Sequence, residues 1–151
     1  MEAVGAAASI AGLLGLVGHT IDGLVKLRRF FHFAKDAPAK LKDLIEDITT
    51  LRGTLDHTER VLRELEDEYL YPTHLHGELL DELIATITLC ERDVSAWDKV
   101  ARNSNTGNWK GVKAFFRKAK LAANKDWFDE LREKIAGHER RVSLSLSVLG
   151  R

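Results

Sequence analysis

The chain has 151 residues, and its 23 Lys and Arg residues balance its 23 Asp and Glu residues, so the formal net charge is zero. This length suits a single domain, which we assign to residues 1–151, and the zero net charge gives no general attraction to nucleic acid. The single cysteine, Cys90, excludes an intramolecular disulfide framework and is typical of a reducing compartment.

The first predicted helix, about 2–33, opens with an uncharged segment rich in Gly and Ala. Residues 3–21 contain no Asp, Glu, Lys or Arg, and as a helix they measure about 28 Å, slightly less than the roughly 30 Å core of a bilayer. Glu2 stands where a secretory signal would carry Lys or Arg. At about 100° per residue, apolar side chains line one side of this helix and small ones the nearly opposite side. The apolar stripe is Ile10, Leu14, Val17, Ile21 and Leu24, and the small stripe is Gly5, Ala8, Gly12, Gly15 and His19.

Glycine makes this helix weak by itself. Each interior Gly costs about 1 kcal/mol relative to Ala, so the four at positions 5, 12, 15 and 18 together cost roughly 3–4 kcal/mol. Two interpretations follow. The segment is a core helix whose glycines permit tight packing, or it is a stored membrane-active segment, and release on activation would reconcile the two.

Two long heptad repeats come next. The second predicted helix, about 38–69, begins after a break at 34–37, and the third, about 75–102, begins after a turn at 71–73. Apolar residues recur in both at alternating steps of three and four, which is typical of helices in a bundle. These positions are Leu41, Leu44, Ile48, Leu51, Leu55, Thr58, Leu62, Leu65 and Tyr69 in the second helix, and Leu80, Leu83, Ile87, Cys90, Val94, Trp97 and Ala101 in the third.

The last third of the chain predicts two further helices, about 109–122 and 125–149. The first is short, with Phe115 on its apolar side and Lys and Arg residues mostly on the other. In the second, residues 143–148 alternate like a strand, but no partner strand is evident, so we expect the helix to continue. The whole pattern predicts an all-α fold, an antiparallel helical bundle of four to five helices with an amphipathic Gly/Ala-rich N-terminal helix. Short turns at 34–37 and 71–73 are expected to make consecutive helices antiparallel neighbours.

Candidate functional residues form three sets. The side chains expected to enter a membrane are Val4, Ile10, Leu13, Leu14, Val17 and Ile21. The small face expected to bring helices together is Gly5, Ala8, Gly12 and Gly15. The basic residues expected to contact anionic lipid headgroups, each worth about 1 kcal/mol there, are Lys26, Arg28, Arg29, Lys110, Lys113, Arg117, Lys118 and Lys120.

The basic residues at 110–120 have an alternative role. They would form a solvated face that matches the acidic end of the second helix, at Glu64, Glu66, Asp67 and Glu68. Nucleic-acid binding is the third option, but no recognised nucleic-acid-binding module accompanies the basic residues. We therefore expect no nucleic-acid partner.

No catalytic or metal site is expected. His74, His76 and Cys90 lack the spacing of known metal ligands, and His57 and His138 each lie alone on a helix. Cys90 falls within the heptad repeat of its helix, as a small core residue would. The chain has no phosphate-binding Gly-rich loop, no HExxH motif and no nucleophile elbow. We therefore expect neither enzyme activity nor a cofactor.

An ordered set of short motifs resembles a known family. The chain opens Met-Glu-Ala-Val-Gly, runs through Ala-Ser-Ile-Ala-Gly-Leu-Leu-Gly-Leu to Leu16, and turns at Lys35-Asp36-Ala37-Pro38 with Leu41 after it. Leu-Arg-Gly-Thr-Leu at 51–55, then Trp109, then Leu-Ser-Leu at 144–146 continue the match. Over essentially the whole chain, these motifs resemble the HeLo-like N-terminal domain of fungal STAND proteins, which are NLR-type receptors.

The resemblance implies a helical bundle that acts in fungal programmed cell death, innate immunity or heterokaryon incompatibility. It implies a cytoplasmic domain that self-associates as a homo-oligomer and moves to the membrane through its N-terminal helix. A downstream nucleotide-binding and repeat module of a longer protein would drive this step. The alternative is a helical protein-interaction adaptor, without membrane activity, that binds through the surfaces of its second and third helices.

Overall fold

The computed structural model describes residues 2–32, 39–67, 75–103, 111, 114–115 and 127–149. At 2–9, 40, 75–77, 79, 127–128 and 149, the backbone alone is described. The described residues form four α-helices: α1 (Glu2–His32), α2 (Lys40–Asp67), α3 (Leu75–Arg102) and α4 (Trp127–Leu149). No strand occurs among these residues. The prediction of an all-helical bundle is therefore confirmed.

The predicted helix boundaries agree closely with these bounds. Those of α3 match at both ends, whereas Phe33, Pro38 and Tyr69 lie outside the described residues. The alternating segment 143–148 is helical, as expected. Most of the predicted helix at 109–122 falls outside the described residues, although 111 and 114–115 have helical backbones.

The two heptad repeats form the centre of the core. Their predicted positions in α2 and α3 are buried throughout, apart from half-buried Leu65 and Tyr69, which lies outside the described residues. Thr58 is the single polar member of the α2 repeat and is fully buried. Its hydroxyl donates to the carbonyl of Thr54 at 2.8 Å, so burial leaves it no unpaired donor.

The helices pack as a ring in the order α1, α2, α4, α3. Both α1 and α4 contact α2 and α3, so α2 and α3 occupy opposite corners. Asp47 of α2 pairs with Arg132 of α4, and Thr54 of α2 pairs with Glu139 of α4. Residue numbers therefore rise in the same direction along both helices, so α2 and α4 are parallel. The 71–73 turn was expected to make α2 and α3 neighbours, and this was wrong. The apolar faces of α1 and α4 are wide enough to contact both, and they lie between them.

The remaining helix directions follow from contacts across α3. Thr86 pairs with Ser145 and Asp93 with His138, so α3 and α4 are antiparallel. His19 and Gly23 of α1 meet Glu91 and Val94 of α3 in the same order, so those two helices are parallel. It follows that α1 is antiparallel to α2, as the break at 34–37 predicts. Two sides of the ring are thus antiparallel and two are parallel.

Candidate functional site: the N-terminal helix

The side of α1 that faces the bundle lies between α2 and α3. Of the side chains expected to enter a membrane, Ile10, Leu13 and Val17 are buried in the core, and Leu14 and Ile21 are half-buried at its edge. Val4 belongs to α1, but its side chain is outside the described set. The apolar stripe expected from the sequence therefore includes Leu14 and Ile21, which lie at the edge of the buried side and not at its centre. The buried line is Ile10, Leu13, Val17, Thr20, Leu24, Leu27 and Phe31.

Thr20 is the polar member of that buried line. Its side chain is fully buried, and its hydroxyl donates to the carbonyl of Leu16 at 2.8 Å. Since the bond lies within the helix, Thr20 needs no partner from α2 or α3. The buried side of α1 can therefore leave the bundle without breaking a hydrogen bond at this residue.

The small face of α1 is open. Gly12, Gly15 and Gly18 are exposed, and a Cβ added at any of them would meet no atom within 4 Å. At Gly5 and Ala8 the backbone alone is described, as part of α1. No described residue of the bundle therefore packs on this side at Gly12 and Gly15.

The small stripe ends at a polar contact with α3. The His19 side chain is 65% exposed, and its Nδ1 lies 3.0 Å from Oε1 of Glu91. The same carboxylate oxygen accepts the hydroxyl of Ser95 at 2.6 Å. An exposed pair of this kind contributes about 1 kcal/mol or less. The contact between His19 and Glu91 therefore orients α1 on α3 but adds little to the stability of the bundle.

Gly23 approaches α3 closely, and sequence reasoning did not single it out. A Cβ built on Gly23 would lie 2.8 Å from Cγ1 of Val94, closer than real Cβ atoms come to a neighbour. Gly23 is buried, in contrast to Gly12 and Gly15. No signal along the chain distinguishes it from the other glycines of the helix, because the difference depends on where α3 lies.

The three basic residues near the end of α1 have different surroundings. Lys26 pairs with Asp22 at 2.9 Å, and this hydrogen bond is the main reason why the pKa of Asp22 lies below its ordinary value. Arg28 donates from Nε to the hydroxyl of Thr49 at 3.2 Å, and Arg29 is exposed. The other headgroup candidates, Lys110, Lys113, Arg117, Lys118 and Lys120, lie outside the described residues.

An aromatic cluster joins the end of α1 to the predicted fourth helix. The rings of Phe30, Phe31 and Phe115 have centroids 5.2–5.7 Å apart in edge-to-face and tilted arrangements. Phe31 and Phe115 are fully buried. Such ring pairs add about 0.5–1.5 kcal/mol each beyond the area that they bury. The cluster fixes Phe115 against the end of α1.

A groove opens beside this cluster, between the last turns of α1 and the first turns of α2. Its volume is about 840 Å³, within the range of roughly 300–1,000 Å³ that is usual for ligand sites. The lining residues are Arg28, Phe31 and His32 from α1, Ala39 from the turn, and Leu41, Lys42, Ile45, Glu46, Thr49 and Thr50 from α2.

The other candidate chemistries find little support among the described residues. No group of three or more His, Cys, Asp or Glu residues could hold a metal ion within the part of the chain that the structure describes. His57 is exposed, whereas His138 is buried and bonds to Asp93 and Arg141. Burial raises the pKa of the Cys90 thiol to about 12, so the thiol stays protonated at neutral pH and is a poor nucleophile.

By length and composition, one described helical segment, Ile10–His32, could cross a membrane, and 39% of its most apolar window is buried inside the bundle. The core helix of a soluble protein passes the same test. Comparisons of the chain with protein-family models, curated proteins and solved structures found no match.

Proposed function

We propose that this chain is a non-enzymatic signalling and effector domain, of the HeLo-like kind, from a fungal NLR-type receptor. It acts in programmed cell death, innate immunity or heterokaryon incompatibility. It rests in the cytoplasm, self-associates when a downstream nucleotide-binding and repeat module activates it, and moves to the membrane. There α1 is exposed and enters the bilayer, while its basic end contacts anionic headgroups.

The observation that carries this proposal is the uncharged surface of α1 from Ile10 to Ile21. The buried side of this segment is apolar except for Thr20, whose hydroxyl is bonded within the helix. The outer side carries Gly12, Gly15 and Gly18. Neither side has an Asp, Glu, Lys or Arg, so transfer to lipid strands no such charge in the hydrocarbon.

The energy of burial limits how α1 can be released. Burying a large apolar side chain contributes about 1.5–3 kcal/mol, so exposing only Ile10, Leu13 and Val17 to water would cost roughly 5–9 kcal/mol, and exposing Leu24, Leu27 and Phe31 as well would cost more. The weak helix propensity of the glycines, about 1 kcal/mol each, is too small to offset this. Release into water is therefore unfavourable, and lipid or a second copy of the chain has to receive the apolar side.

Dye leakage from anionic liposomes tests the proposal. The full chain should cause leakage, and deletion of residues 1–21 should abolish it. Because the deletion also removes three core side chains, Gly15→Glu is the more informative variant. Its side chain points into open space, so the fold is retained, but a charge near the bilayer centre costs about 2.5–3.5 kcal/mol.

Gly53→Glu is the matched control, since it adds the same charge at an equally open position on α2. Gly53→Glu should cause dye leakage at the rate of the full chain, whereas Gly15→Glu should cause leakage at least tenfold more slowly. Equal leakage by the two variants would contradict insertion of α1. If the full chain neither leaks dye nor floats with liposomes, the adaptor function takes its place.

A further inference from the structure

The groove between α1 and α2 has an apolar floor and a basic rim. Phe31 and Leu41 are buried beneath it, while Arg28 of α1 and Lys42 of α2 contribute basic groups from both helices. Among the lining residues that the structure describes, Glu46 is the only acidic one. The first turn of α2 also borders the groove at Leu41 and Lys42. The positive end of the α2 dipole therefore adds to the attraction for an anion.

Hydrogen bonding defines which groups remain to bind a ligand. The hydroxyl of Thr49 donates to the carbonyl of Ile45 at 2.9 Å and accepts Nε of Arg28 at 3.2 Å. The hydroxyl of Thr50 donates to the carbonyl of Glu46 at 3.0 Å. Neither threonine has a proton left to donate. Arg28 is thus oriented through one of its five N–H donors, and its planar guanidinium suits the paired oxygens of a phosphate.

We infer that this groove binds a phosphate group, and that the bound phosphate holds α1 against α2. The groove exists only while the two helices are in contact, because its basic groups come from both. A ligand that binds one conformation stabilises it in proportion to its preference for that conformation. The second clause rests on the proposed function. Occupation of the groove by a free phosphate or a phosphate headgroup opposes the release of α1.

Isothermal titration of the full chain with inorganic pyrophosphate, at constant ionic strength and without lipid, tests binding. We expect saturable binding to the wild-type chain, weakened about tenfold or more in Arg28→Gln with Lys42→Gln, because two charge-assisted contacts are lost. Lys42→Gln alone, at an exposed side chain, should weaken binding by a smaller factor. This single variant keeps the test valid if the double variant does not fold.

Arg52→Gln with Arg60→Gln is the matched control. It removes the same charge from exposed positions of α2 outside the groove, and its affinity should stay close to that of the wild-type chain. Absence of pyrophosphate binding by the wild-type chain would overturn the inference. So would an equal loss of affinity in the control.

Vesicles distinguish the source of the phosphate. Flotation with vesicles of phosphatidylcholine and phosphatidylinositol 4-phosphate should be competed by pyrophosphate if headgroups occupy the groove. Binding of pyrophosphate without competition assigns the groove to a free phosphate.

Leakage separates this inference from the proposed function. Pyrophosphate should slow the dye leakage that the wild-type chain causes, and it should not change the leakage caused by Arg28→Gln with Lys42→Gln. Faster leakage by the wild-type chain would overturn the inference that bound phosphate holds α1 against α2. If the wild-type chain binds pyrophosphate but never leaks dye, the proposed function fails and the phosphate site stands. If it leaks dye but binds no pyrophosphate, the site fails and the function stands.

Discussion

Two glycines of α1, Gly23 and Gly15, lie in opposite environments. A Cβ at Gly23 would collide with Cγ1 of Val94 at 2.8 Å, whereas one at Gly15 would meet nothing within 4 Å. Overpacking a core costs about 1–3 kcal/mol, and replacing an interior Gly by Ala adds about 0.5–1 kcal/mol of helix stability. The balance between these two effects therefore differs in sign at the two positions.

We predict that Gly23→Ala lowers the free energy of unfolding by about 1 kcal/mol. Gly15→Ala should raise it by about 0.5–1 kcal/mol, because it gains helix propensity without a collision. Denaturant unfolding of both variants beside the wild-type chain measures the difference. An equal gain at the two positions would contradict the close approach of α1 to α3 at Gly23.

His138 is a buried imidazole held between α3 and α4. Its Nε2 lies 2.7 Å from Oδ2 of Asp93, and its Nδ1 lies 3.1 Å from the guanidinium of Arg141. Since Arg can only donate, Nδ1 must accept, and Nε2 carries the proton that is donated to Asp93. This geometry fits the neutral imidazole. Its ring also packs edge-on against Trp97, with centroids 6.2 Å apart.

Burial is the main reason why the pKa of His138 lies below its ordinary value; Asp93 opposes the shift, and Arg141 and Lys134 reinforce it. At a pH below the ordinary histidine pKa of about 6.5, the unfolded chain protonates His138 more readily than the folded chain does. Stability is therefore retained above that pH and lost as the pH falls through the lower folded-state pKa.

We predict that lowering the pH from about 7.5 to about 5.5 decreases the thermal midpoint of the wild-type chain more than that of His138→Gln. The exposed His57 supplies the control, and His57→Gln should retain the wild-type pH dependence. An identical pH dependence in all three proteins would show that His138 does not contribute it.

At the scale of the element, α1 differs from α2 and α3 in how well its pattern can be interpreted. The buried apolar positions of α2 and α3 are those expected from their heptad repeats, because Leu and Ile recur there among charged residues. In α1 nearly every residue from 10 to 21 is apolar or small. Several stripes then fit equally well, and the expected one was displaced from the buried line.

The small face of α1 gives a prediction about self-association. Gly12→Leu with Gly15→Leu should keep the fold, because both positions face open space. It should reduce the oligomers that form on anionic liposomes, since bulky side chains prevent the close approach that small residues permit. Chemical cross-linking followed by gel electrophoresis measures the oligomers.

Gly53→Leu on α2, which is also open, adds a similar apolar side chain elsewhere and should leave the oligomers unchanged. Oligomers of the α1 variant at the wild-type level would remove this role from Gly12 and Gly15.

At the scale of the whole molecule, α1 and α4 are held in the ring by different forces. Short polar contacts tie α4 to both neighbours, through Arg132 and Asp47 at 2.6 Å and through His138 and Asp93 at 2.7 Å. The contacts of α1 with the core are mainly apolar. An apolar helix can exchange one apolar environment for another, whereas moving α4 would break these contacts. Any release of α1 would therefore need lipid or a second copy of the chain to receive its apolar side.

A disulfide across the contact between Gly23 and Val94 tests the release of α1. The double variant Gly23→Cys with Val94→Cys places the two cysteines where a disulfide can form. A Cβ added at Gly23 lies 2.8 Å from Cγ1 of Val94. This distance is close to the distance between a Cβ and the partner's sulfur in a disulfide, whose S–S bond is about 2.05 Å. Because α1 is one continuous helix, a bond at residue 23 stops it from leaving as a rigid rod. We predict that the oxidised variant leaks dye several-fold more slowly and that reductant restores leakage.

Each single cysteine variant serves as a control and should respond to reductant no more than the wild-type chain. The same variants in a Cys90→Ala background exclude pairing with the native buried thiol. Unchanged leakage by a fully oxidised double variant would show that α1 does not leave the bundle as a unit.

The sequence by itself determined that the described part of the chain is helical, the approximate limits of each described helix, and the buried apolar positions of α2 and α3. These features depend on local periodicity and on breaks such as 34–37, which act within one or two turns of chain.

Only the tertiary structure decided that α2 and α3 lie at opposite corners, that Gly23 and not Gly15 touches a neighbour, and that Arg28 shares a groove with Lys42. Each depends on which helices become neighbours. That choice follows from how whole faces pack together, and it leaves no local pattern in the uniformly apolar first helix.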